Sequence, residues 1–198
     1  LVGTRDRDRQ TFTFCNDRPW EGWGKGLADA VIQGKAVKVG ILSGNQSQLG
    51  MRQRLKSVKD KLEEVGIEIS WILSEKELDK KMRNVEYFAE QPVDTVISLD
   101  NDDTEKAVDI ILNDDRISWK LYGEGRSEKL IYYLDKGTIQ ELAVPNEYYM
   151  GYQSIVLAAQ NIRYYTDKTE QAEVEFYMVS KDNLYDEETS RILFPAIR

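Results

Sequence analysis

The side chains with the most chemistry in this sequence lie just after its short apolar runs. They are Asn16-Asp17-Arg18; Ser43 to Gln48, with Arg52 about one turn further on; Ser74-Glu75; Asp100-Asn101-Asp102-Asp103; Gly123-Glu124-Gly125-Arg126; and Pro145-Asn146. Planar, two-ended Asp, Asn, Gln and Arg side chains can each bond two neighbouring oxygens, which suits vicinal hydroxyls. Loops are polar for other reasons too. Asp100 to Asp103 equally reads as a helix N-cap with an acidic first turn. Six such ends on one sheet edge nevertheless favour a site for a small polar ligand.

Other chemistries fail on composition. The 198 residues include no histidine and one cysteine, Cys15. No Ser-His-Asp or Cys-His site, no His-containing or Cys₄ zinc site and no intrachain disulfide can be built from them. A formal charge of −8, from 27 Lys plus Arg against 35 Asp plus Glu, argues against non-specific nucleic-acid binding.

Val96 to Thr104 fits the hydrophobic strand and Asp-x-Asp-x-Thr of haloacid-dehalogenase-type phosphatases, where Asp100 would be nucleophile and Asp102 general acid beside magnesium. It falls on the fourth strand rather than an early one, and Asp114-Asp115 follows too soon to serve as the later acidic pair. Among glycine patterns, Gly40-Ile-Leu-Ser-Gly44 lacks a Gly-Lys-Ser/Thr ending. Gly123-Glu-Gly125 lacks a third glycine, and Gly22-Trp-Gly24-Lys-Gly26 lies in a helical pattern. The expectation is a binding protein, not an enzyme, with no cofactor and no metal.

The elements that must position these groups are legible in periodicity. Strand-like runs cover 11–15, 37–42, 67–73, 95–99, 119–122, 139–144 and 174–179. Helical spacing joins Trp23, Leu27, Ala30 and Val31; Leu55, Val58, Leu62 and Val65; Ala107, Val108 and Ile111; Leu130, Ile131 and Leu134. A longer helix over roughly 147–165 would turn Tyr152, Ile155, Val156, Ala159 and Ile162 inward. Gly66 and Gly137 read as helix C-caps, and Trp71 and Trp119 as core. The alternation predicts an α/β fold, an open parallel sheet with helices on both faces. In such sheets ligands bind beyond the carboxyl ends of the strands. No apolar run approaches the roughly 20 residues of a membrane span. LVGTRDRDRQ carries no signal-peptide core, and its lack of Met suggests a piece of a longer chain.

Several segments together resemble type I periplasmic binding proteins for sugars. Val37 to Gln48 followed by Met51-Arg52-Gln53-Arg54 is similar to that family's strand, polar loop and arginine-bearing helix. Asp94 to Asp103 resembles its strand ending in Asn/Asp-Asp, and Leu121 to Gly125 its Val-x-Gly-x-Asp strand end. Asp135 to Ile139, then Val144 to Tyr152, resemble its Gly-x-hydrophobic and Pro-x-x-Met-Gly-Tyr signature. Val179 to Leu184 resembles the Val-Thr-x-x-Asn close of sugar-transporter binding proteins. LacI-type regulators share this effector-domain fold.

The resemblance implies a carboxyl-terminal ligand-binding lobe over 1–146, with the first lobe missing. Residues 147–170 would be a helix crossing to that lobe, and 171–198 a hinge or return strand and tail. It implies sugar ligands at Arg52, Asp100, Asn146, Gln46, Gln48 and Glu124; Arg54, two residues beyond Arg52 and so about 200° round the helix, is expected to face away. It implies an ABC transporter permease or a membrane sensor as partner and an extracytoplasmic, lipoprotein-type location. The alternative is the effector domain of a cytoplasmic LacI-type regulator. Left without the first lobe, the crossing helix is expected to pair with a second chain as a homodimer.

Overall fold

The computed structural model describes residues 19–84, 86–164 and 176–194. The expected first strand, 11–15, and its Asn16-Asp17-Arg18 end lie outside them. The chain forms α1 (Pro19–Gln33), β1 (Lys38–Leu42), α2 (Leu49–Glu64), β2 (Glu68–Leu73), α3 (Glu75–Lys81), α4 (Glu86–Glu90) and β3 (Thr95–Ser98). There follow α5 (Asn101–Asn113), β4 (Lys120–Glu124), α6 (Glu128–Lys136), β5 (Ile139–Pro145), α7 (Glu147–Tyr164), β6 (Phe176–Ser180) and α8 (Glu187–Leu193).

Six strands make one sheet in the order β2-β1-β3-β4-β5-β6. The fold is α/β as expected, and β1 to β5 run parallel. The last strand departs from the all-parallel expectation. β6 pairs with β5 antiparallel, Leu142 opposite Val179 and Val144 opposite Tyr177. The order reverses at β1, which has β2 on one side and β3 on the other. That reversal is the switch point where an open α/β sheet leaves a crevice.

Strand alternation divides the core. Val39, Ile41, Ile97, Leu99, Tyr122 and Ala143 meet α1 and α2 through Trp23, Leu27, Val31, Met51, Val58 and Leu62. The opposite face, with Leu42, Val96, Leu121 and Leu142, meets Leu78, Phe88, Ala107, Val108, Leu130 and Leu134 from α3 to α6. Trp71 and Trp119 are buried there, ring centroids 6.0 Å apart, with Phe88 5.3 Å from Trp119. Gly66 and Gly137 follow α2 and α6 with positive φ, 75° and 82°, as C-terminal caps.

Three short helices lie outside the expected elements. α3 buries only Leu78, so no apolar stripe announces it, although its capping box is readable as Ser74-x-x-Glu77. α4 has five residues and buries Phe88, and α8 has seven. The expected face of α2 is also rotated. Met51, Arg54, Val58 and Leu62 point inward, while Val65 is exposed. On α7 the expected inward residues Tyr152 and Ile155 are 56% and 72% exposed, and Tyr148 is 79% exposed. No sheet face of the described residues reaches them, because α1 to α6 already cover both sides.

Candidate ligand-binding site

The carboxyl ends of β1, β3, β4 and β5 bring Ser43 to Gln48, Asp100, Glu124 and Asn146 to one edge. The β1 loop is braced from within. Ser43 is buried and donates to the Leu73 carbonyl at 3.2 Å. Gln46 donates its side-chain amide to the Ser43 carbonyl. Asn45 Oδ1 accepts from Ser47 N at 3.0 Å and Ser47 Oγ at 2.7 Å. Gln48 holds the N-cap position of α2 with extended backbone and no side-chain capping bond. Arg52, exposed in the first turn, donates Nη1 to the carbonyls of Gln46 and Ser47 at 2.9 and 2.8 Å.

The other arginine takes the opposite direction. Two residues are about 200° of helix, so Arg52 and Arg54 cannot share a face. Arg54 lies on the buried stripe three residues after Met51 and four before Val58. Its side chain is 5% exposed and forms an ion pair with Glu124, itself 14% exposed. The same Nη1 donates to the Leu99 carbonyl at 2.9 Å. The guanidinium carbon sits 4.2 Å from the centroid of the Trp23 ring. Burial pulls the Arg54 pKa down to about 9, and the charge of Asp100 opposes that fall.

Asp100 caps α5. Its Oδ1 accepts from the backbone N–H groups of Asp102 and Asp103 at 3.0 and 3.4 Å. Thr104 Oγ1 lies 2.7 Å from the Asp100 carbonyl and 2.9 Å from that of Glu124, tying the end of β3 to the end of β4. Gly125 follows with φ 134°, where an added Cβ would strike Asn101 Oδ1 and approach Leu130 Cδ1 at 2.5 Å. Glycine alone takes that backbone without strain. Asn146 caps α7, accepting from Tyr149 N at 3.0 Å. Arg126 pairs with Glu147 at 2.5 Å, joining the β4 loop to the start of α7.

The geometry therefore gathers Arg54, Asp100 and Glu124, flanked by the Gln46, Gln48 and Arg52 loop on one side and Asn146 on the other. Together these groups offer charged donors and acceptors within one edge, as a polyhydroxy ligand requires. Sequence reading turns Arg54 away from the strand ends and places Trp23 only on a helix face, whereas the structure sets the two against each other. The available signal was register, since an arginine in line with Met51, Val58 and Leu62 must lie on the packed face. The Asp-x-Asp-x-Thr run is a capped helix start here: Asp100 caps, Asp102 is exposed, and Thr104 bonds carbonyls. Among the described residues, no group of three or more carboxylates or cysteines is placed to hold a metal ion.

Asp103 lies beside this site and is fully buried. Its Oδ1 is 3.3 Å from Lys106 Nζ, which also meets Asp79 at 2.7 Å. Its Oδ2 is buried with no hydrogen-bond partner. Burial raises the Asp103 carboxyl to about 6. Lys106 opposes the rise, and Asp100 and Glu75 add to it.

A family model described as "Periplasmic binding protein domain" matches residues 19–165, and the chain belongs to that family. It is similar in structure to a carbohydrate transporter solute binding protein from Agrobacterium radiobacter in complex with D-arabinose. The identity is 16% and the TM-score 0.78, over 90% of this chain and 64% of that one. It is also similar to the Caulobacter myo-inositol binding protein bound to myo-inositol, at 17% identity and TM-score 0.80, over 96% of this chain and 67% of that one. A Bacteroides fragilis protein described as a LacI transcriptional regulator matches at 13% identity and TM-score 0.76, over 92% and 66%. At these identities the likeness is one of fold. The chain spans about two thirds of the length of these structures. No curated protein matches the sequence.

Proposed function

We propose that this chain is the larger part of a sugar-binding protein serving an ABC-type transporter outside the cytoplasm. The observation that carries the reading is the Arg54, Asp100 and Glu124 set at the switch point of the sheet. In this reading a sugar lies across the strand ends. Its hydroxyls donate to Asp100 and Glu124 and accept from Arg54, while Asn146 and the amides of Gln46 and Gln48 line the margins. Arg52 holds the Gln46 to Gln48 loop in place and adds its charge at the rim. The remainder of the full-length protein closes over the ligand, and closure dries the site and strengthens these bonds. The exposed Tyr148, Tyr152 and Ile155 of α7 pack on that remainder, so α7 acts as the crossing helix.

The likeness to a protein described as a LacI regulator supports a second reading, an effector domain that senses a similar ligand in the cytoplasm. The sequence preceding Leu1 in the full-length protein separates the two. A lipoprotein signal marks the transporter, and a helix-turn-helix marks the regulator. The direct test of sugar binding is isothermal titration of the full-length protein with D-arabinose, D-glucose, D-galactose, D-tagatose and myo-inositol. Saturable heat with one of them supports the proposal, and no heat with any overturns it.

A further inference from the structure

The run Gly22-Trp23-Gly24-Lys25-Gly26 sits inside α1, where interior glycines weaken a helix. Each glycine admits a neighbour. A Cβ on Gly24 would collide with Ser57 Oγ and lie 2.6 Å from the Arg54 carbonyl, so α2 closes on this side. A Cβ on Gly26 would lie 3.0 Å from the Phe176 ring and 3.4 Å from Met178 Sδ, and one on Gly22 would lie 3.6 Å from Phe176. Gly24 thus lets α2 close tightly on α1, while Gly22 and Gly26 leave room for Phe176 and Met178 of β6. Trp23 stands between them, 4% exposed. Its ring is stacked nearly parallel to Phe176, centroids 5.7 Å apart at 9°, and it carries the Arg54 guanidinium at 4.2 Å.

We propose that Trp23 is a positioning residue for ligand binding, its indole packed on Phe176 and holding the Arg54 guanidinium in one plane at the cleft. A flexible arginine loses rotamer freedom when it binds, and one already held against an aromatic face loses less. The bonds to Leu99 and Glu124 both engage Nη1, which anchors one end of the group. The indole fixes the rotation of the plane about that anchor. Because Phe176 belongs to the strand that follows α7, the returning chain takes part in setting the binding arginine. The inference rests on the reading of Arg54 as a ligand-bonding group.

The test compares Trp23→Leu, Trp23→Phe and Phe176→Leu with the wild-type full-length protein. Two readouts are used: the ¹H–¹⁵N resonance of Arg54 Nε, and calorimetric affinity for the tightest sugar of the panel above. In the wild type the Arg54 Hε should be shifted upfield by the indole ring current. Trp23→Leu should abolish that shift and weaken the sugar about ten-fold. Trp23→Phe, keeping a flat face, should restore most of the affinity, and Phe176→Leu should fall between. In an Arg54→Lys background, Trp23→Leu should change affinity by less than about two-fold, since coupled residues are non-additive. A folded Trp23→Leu that binds sugar as the wild type does, or loses as much affinity in the Arg54→Lys background, overturns the inference and leaves the sugar reading intact. A wild type that binds no sugar overturns both.

Discussion

Glu124 and Arg54 stand 70 residues apart in sequence and meet as an ion pair at the ends of β3 and β4. Neither end of the pair is free to move away. Arg54 is fastened to the Leu99 carbonyl and the Trp23 face. Glu124 sits on a strand end held by Thr104. The contact therefore locks α2 to β4 across the intervening β3, and it does so at the edge where ligands of such sheets bind.

Removing Glu124 leaves a buried guanidinium without its counter-charge. Glu124→Ala should lower the unfolding free energy by about 3–5 kcal/mol. Glu124→Gln, which keeps an acceptor for Arg54, should lower it less. Urea denaturation of both variants measures this, and a loss below about 1 kcal/mol for the alanine would show that the pair is not a structural tie.

The two arginines of α2 should separate in binding. Arg54→Ala is expected to weaken sugar binding by about 1.5–3 kcal/mol, the range for a charge-assisted hydrogen bond. Arg52→Ala, which frees only the Gln46 and Ser47 carbonyls, should weaken it by less than about 1 kcal/mol. Titration calorimetry on the two variants decides. The reverse ranking would return the sugar contact to Arg52.

Asp103, although paired with Lys106, should make stability depend on pH in the direction opposite to a carboxylate whose pKa its partners lower. Its folded pKa, about 6, lies above the ordinary 3.8, so the folded state holds the proton more tightly. Stability from this group is complete below pH about 4 and is lost as pH rises through about 6. Asp103→Asn should therefore raise the unfolding free energy at pH 7.5, on the order of 1–3 kcal/mol, with no gain at pH 4. Thermal unfolding across that range reads the effect. A gain independent of pH would point to packing instead of charge.

Gly125→Ala combines a backbone conformation foreign to L-residues with a collision at Asn101 and Leu130. It should destabilise by roughly 1–3 kcal/mol. Adding Asn101→Ala should recover part of that loss by clearing one contact while leaving the φ strain. If the single substitution unfolds at the same denaturant concentration as the wild type, the loop has another conformation open to it.

The exposed aromatic and aliphatic side chains of α7 should make the 198-residue chain associate with itself. Tyr152 and Ile155 lie one turn apart, and a contiguous apolar patch of this kind recruits a partner. Sedimentation velocity should show a dimer or larger species that Tyr152→Ser with Ile155→Ser returns to monomer. A wild-type chain that stays monomeric at high concentration rules this out.

The strands and long helices were determined by the sequence itself, because their periods of 2 and about 3.6 are local properties of side-chain spacing. The carboxyl edge of the sheet was also legible as a gathering place for polar residues, since those that follow the apolar runs of parallel strands collect there. Only the tertiary structure decided that β6 runs antiparallel, because a strand's direction depends on which end of the sheet the chain re-enters. Only it decided which arginine faces the strands. Arg52 and Arg54 are equivalent in type and two residues apart, and their roles separate only when Met51, Val58 and Leu62 dock on the sheet and carry Arg54 inward. The partners of that arginine, Trp23 from α1 and Glu124 from β4, are distant in sequence, and nothing short of the packed fold could bring them to one guanidinium.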